Sequence, residues 1–120
     1  MSEARVLDHT AIIALFQGND QVFRLWQQAD EGEFTLVMPA VAVAEANNVI
    51  GATSDAWRPL LDAVRVEVTP LDQSTAIDTA TGIGSLIVRH VLHEAREIRG
   101  GIVTGAPWQY PAGVVPIWTI

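Results

Sequence analysis

The segment Arg5-Val6-Leu7-Asp8-His9-Thr10 decides how the rest of the chain is read. Arg5-Val6-Leu7 is a brief apolar run that stops at an acid. His9-Thr10 then opens the apolar stretch Ala11-Ile12-Ile13-Ala14-Leu15-Phe16, which closes at Gly18. A buried strand, a polar corner and a short helix stopped by glycine account for this pattern. The same alternation continues outward. Asn19 or Asp20 caps a second helix through Ala29, with Val22, Phe23, Leu25 and Trp26 as apolar positions. Gly32 breaks it, and Phe34 to Met38 forms a second strand. Pro39 starts a third helix at the first-turn position that proline tolerates, and Gly51 ends it.

Ser54 or Asp55 caps a short helix carrying Trp57, Leu60, Leu61 and Val64. Val66 to Thr69 is a third strand, stopped by Pro70. Asp72 or Ser74 caps a helix reaching about Thr81. Ser85 to Arg99 is the strongest amphipathic helix and ends at Gly100-Gly101. Ile102-Val103-Thr104 is a fourth strand, and Val114 to Ile120 holds a fifth. These strands are continuous apolar runs rather than polar-apolar alternations. That predicts a parallel sheet covered on both faces, hence an α/β domain with a central parallel sheet of four to five strands. No repeat or linker divides residues 1–120, so one domain is expected.

Composition narrows the functions. The 120 residues are 49% hydrophobic and 18% charged, which is globular. There is no cysteine, which removes disulfides, thiolate zinc sites and cysteine nucleophiles. The net charge is -7, and all seven bases are arginine. Such a chain does not coat nucleic acid through bulk charge. A bound divalent metal reverses the local field, so metal-dependent nuclease chemistry stays open. The opening Met1-Ser2-Glu3-Ala4-Arg5 has no apolar stretch behind a basic start, and no apolar run spans a bilayer. A soluble cytoplasmic protein, with no membrane contact, is expected.

Ligands of an open parallel sheet bind beyond the carboxyl ends of its strands. Asp8 directly follows strand one, Thr104-Gly105-Ala106 follows strand four, and Glu45 lies in the first two turns of the helix after strand two. A carboxylate at a strand end and another on a neighbouring helix make a plausible pair of ligands for Mg²⁺ or Mn²⁺. An aspartate before a helix also serves as a cap, and an acid among alanines and valines also serves as a solvated position. His90 and His93 share a helical face with Glu94 nearby, but the spacing is not HExxH; a structural role is favoured there. Gly82-Ile83-Gly84 lacks the third glycine and preceding strand of a nucleotide loop. Trp108, Tyr110 and Trp118 form an aromatic group, read either as packing or as a dimer or partner contact.

Taken in order, Val6-Leu7-Asp8-His9-Thr10, Met38 to Ala46, His90 to Ala95 and Ile102 to Pro107 resemble a PIN domain of the VapC-type toxin branch, over essentially the whole chain. The resemblance implies an endoribonuclease in which three or four acids hold one or two divalent metals that activate water. Asp8 and Glu45 match the first two acids and are the expected catalytic and metal-holding residues, with Thr10 and Thr104 in support. The third and fourth acid positions fall on Ser85 and Ala106, so both expected aspartates are missing. Asp72 or Asp78 is an alternative acid for the site. The departure implies weak or absent Mg²⁺ or Mn²⁺ binding and weakened or lost RNA cleavage. Two functions follow: a toxin-like ribonuclease acting on RNA, or a noncatalytic PIN-like protein acting through an antitoxin-like partner or as a homodimer.

Overall fold

The structure, a computed structural model, describes residues 3–120. Strand β1 (Ala4–Leu7) leads into α1 (His9–Phe16) and α2 (Asp20–Asp30). Strand β2 (Thr35–Pro39) is followed by α3 (Ala40–Ile50) and α4 (Ser54–Leu61). Strand β3 (Val66–Thr69) precedes α5 (Gln73–Asp78) and α6 (Leu86–Ile98). Strand β4 (Gly101–Thr104), a 3₁₀ turn at Pro107–Gln109 and β5 (Ile117–Thr119) complete the chain. The five strands form one sheet in the order β3-β2-β1-β4-β5, and every pairing is parallel.

The central strand explains the apolar runs. Val6 lies opposite Val37 on one side and Ile102 on the other, and Leu7 lies opposite Val103. Val6, Leu7, Leu36, Met38 and Ile102 have no solvent exposure. Removing each such side chain from water contributes roughly 1.5–3 kcal/mol. Helix α3 packs against α1 and α6, all three lie against the sheet, and α2 and α4 reach β3. The chain leaves β1 toward β2 and β3 on one side, and returns to β4 and β5 on the other. The strand order therefore reverses between β1 and β4, which sets a crevice at their carboxyl ends.

Local chemistry moves several boundaries. Thr53, rather than Ser54 or Asp55, caps α4, accepting a hydrogen bond from the Ala56 amide. That helix ends at Leu61, and Val64 is left exposed. Pro39 is the last residue of β2 and the residue flanking α3, not a residue within the helix. Asn19 caps α2 and Asp72 caps α5, each through its side chain. Helix α5 stops at Asp78 rather than near Thr81, and β5 occupies three residues within the Val114 to Ile120 segment. Arg99, in the left-handed conformation, ends α6, and Gly101 already belongs to β4. Trp118 stacks across Gly101, where a Cβ would lie within 1.8 Å of the indole.

Candidate functional site

Asp8 sits where the topology places a crevice, at the carboxyl end of β1 beside the end of β4. It is also the cap of α1, its Oδ1 accepting from the Ala11 amide at 3.0 Å. The same oxygen accepts from the Thr10 hydroxyl at 2.6 Å. Oδ2 accepts from the Thr104 hydroxyl at 2.5 Å and from the Tyr110 hydroxyl at 2.7 Å. A carboxylate offers about four lone-pair positions, and four internal donors meet them here. Asp8 is fully buried.

The two threonines are committed as fully as the acid. Thr10 accepts from the Gly105 amide at 2.8 Å, and Thr104 accepts from the Ala106 amide at 2.9 Å. Each hydroxyl has one proton, and each gives it to Asp8. The 3.3 Å approach of the two hydroxyl oxygens is therefore a contact without a proton to share. This chain of bonds ties the loop after β4 to the start of α1. Tyr110 closes it from the far end of that loop and is buried. Burial, then the charge and hydrogen bond of Asp8, push its phenol well above the usual range. Tyr110 thus stays a proton donor.

The other expected acid positions lie differently. Glu45 is on the exposed side of α3. Ser85 caps α6, its hydroxyl accepting from the Val88 amide at 3.4 Å. Ala106 is buried and has no oxygen to offer from its side chain. Asp72 spends a carboxylate oxygen on the Thr75 amide, which holds its pKa below the ordinary value. Among the described residues, no group of three or more His, Asp or Glu side chains is placed to share a metal.

The histidine cluster divides. His90 is fully buried and pairs through Nε2 with Glu94 Oε1 at 3.2 Å. Burial pulls its pKa down against the raising effect of Glu94. His93 faces a separate cavity with Arg89 and Arg96. The C-terminal aromatics divide as well. Tyr110 joins Asp8, Trp108 is exposed, and Trp118 lies 4.4 Å from the Arg5 guanidinium, which Phe34 faces at 5.3 Å. Tyr110 is the member of the Asp8 site that sequence reasoning missed as a partner. Nothing in local spacing links residues 102 positions apart.

No protein-family model and no curated protein matches the chain. Solved structures do. A chain of VapBC2 from Rickettsia felis, bound to a DNA fragment from its promoter, superposes with a TM-score of 0.57 at 13% identity, covering 97% of this chain and 98% of that one. A chain of FitAB bound to the IR36 DNA fragment gives a TM-score of 0.62 at 17% identity, covering 96% and 94%. The fold is therefore PIN-like, a three-layer α/β domain.

Proposed function

We propose that this protein is a PIN-like domain that has lost metal-dependent RNA cleavage and acts by binding a protein partner of the antitoxin kind. The observation that carries the proposal is the saturation of Asp8 by four internal donors. A Mg²⁺ or Mn²⁺ ion needs free carboxylate oxygens and keeps several waters. To reach Asp8 it must displace Tyr110 or Thr104 from a fully buried position. The neighbouring positions compensate poorly: Ser85 is spent on a cap and Ala106 has no side-chain ligand atom, which leaves Glu45 as the one exposed acid of the four expected positions. These residues do not fit the metal centre that the resemblance implies. The acid at the strand end instead anchors the loop after β4.

Partner binding is supported by the structural neighbours, VapBC2 bound to a promoter DNA fragment and FitAB bound to the IR36 DNA fragment. The exposed indole of Trp108, 79% accessible, is the kind of side chain that interfaces use. Cleavage of a mixed RNA substrate with Mg²⁺ or Mn²⁺, beside Asp8→Ala and Glu45→Ala, tests the proposal. No metal-dependent cutting above the background of either variant is expected. Cutting by the unaltered protein that both substitutions abolish overturns it.

A further inference from the structure

Helix α6 carries Arg89, His93 and Arg96 at i, i+4 and i+7, which places them on one stripe. The stripe borders a cavity of about 290 Å³, closed on its other side by the segment Asp78 to Ile83 and by Pro111. Arg89 is fixed in place. Its Nε donates to the Thr79 carbonyl at 2.7 Å and its Nη1 to the Gly84 carbonyl at 2.5 Å. Gly82, at φ +130°, lets the loop lie against the side chain; a Cβ there would stand 3.3 Å from Arg89 Cδ. These bonds hold the guanidinium without neutralising it, and its Nη2 group has no internal acceptor among the described residues.

This corner gathers two of the chain's seven arginines. Acids outnumber arginines 14 to 7. Yet among the described residues no carboxylate lies within ion-pairing distance of Arg89 or Arg96. Asp78 is the acid on the cavity's border. Arg89 and Arg96 stand two helical turns apart on this stripe, both bordering the cavity, so an anion seated in it is attracted by both charges. We propose that this cavity binds a small oxyanion of the phosphomonoester type. Two guanidinium groups match the two charges of a phosphate dianion, and their planar forks suit its oxygens. The cavity is larger than a phosphate group, and the adjoining Ile83 and Leu92 offer an apolar wall for a short organic body. The proposal is independent of the partner-binding reading, since it uses none of the residues around Asp8.

The test is a titration of the intact protein with inorganic phosphate at constant ionic strength, read by NMR on the arginine Nε–Hε and histidine ring signals. Acetate and chloride serve as parallel arms. Saturable shifts at Arg89, His93 and Arg96 are expected with phosphate, weaker ones with acetate and none with chloride. Arg96→Gln, an exposed position that leaves the loop intact, is expected to weaken phosphate by about tenfold or more. Arg24→Gln, an exposed arginine on α2, is expected to leave binding unchanged. Arg89→Lys keeps the charge and loses the fork, and is expected to weaken phosphate more than acetate. Equal loss in the Arg96 and Arg24 variants, or no saturable response at millimolar phosphate, overturns the proposal.

Discussion

Asp8 shows how one residue type serves two opposite ends. In a metal site, carboxylates crowd together and repel until a cation arrives, so removing one relieves strain in the metal-free protein. Around Asp8 the neighbours are donors, so removing any of them strands a buried partner. Tyr110→Phe keeps the ring and deletes the hydroxyl that Oδ2 accepts. It is expected to destabilise the fold by about 1–3 kcal/mol, measured by urea unfolding. Glu45→Ala, at an exposed position, is expected to change stability by no more than about 0.5 kcal/mol. Equal effects of the two substitutions would deny Asp8 its anchoring role. The position of Asp8 at a strand end was legible from Val6-Leu7-Asp8-His9-Thr10. Its saturation was not, because two of its four donors, the Thr104 and Tyr110 hydroxyls, come from positions distant in sequence.

At the scale of elements, caps and close packing decide what each position tolerates. Ser85 matches an acid position of the resembling family and also caps α6. Aspartate caps a helix as well as serine does. Ser85→Asp is therefore expected to leave stability within about 0.5 kcal/mol, whereas Ser85→Ala loses about 1 kcal/mol. Ala106 contrasts with it. Its side chain is buried, so Ala106→Asp places an unpaired carboxylate away from water and is expected to cost about 2 kcal/mol or more. Thermal unfolding of the three variants checks the contrast, and a well-tolerated Ala106→Asp would show that this corner retains room for an acid. Element types were readable because period and punctuation repeat along the chain. Boundaries were less so: Thr53, Ser54 and Asp55 are all good cap residues, and backbone geometry chose Thr53.

For the molecule as a whole, the buried His90–Glu94 pair predicts how the fold responds to acid. Burial lowers the pKa of His90 below its ordinary 6.5, while Glu94 pulls the other way and His93 adds to the lowering. The unfolded chain therefore binds a proton at this group more readily than the folded one. Stability from this group is present above pH 6.5 and falls as the pH drops below that value toward the folded pKa. Unfolding midpoints measured from pH 8 to pH 5 are expected to decline below about pH 6.5, and His90→Gln is expected to flatten that decline. An unchanged slope in the variant would assign the acid sensitivity elsewhere.

The α/β class and the parallel sheet were determined by the sequence itself, because apolar runs bounded by glycine, proline and caps are local signals. So were the absence of thiol chemistry and the placement of Asp8 at a strand end. The tertiary structure alone decided that Asp8 meets Thr104 and Tyr110, that Glu45 faces solvent, and that Arg89, His93 and Arg96 surround a cavity. The physical reason is that hydrogen-bond saturation and exposure depend on contacts across the chain. Asp8 and Tyr110 are 102 residues apart in sequence and 2.7 Å apart at their oxygens. Only the reversal of strand order between β1 and β4 brings them together.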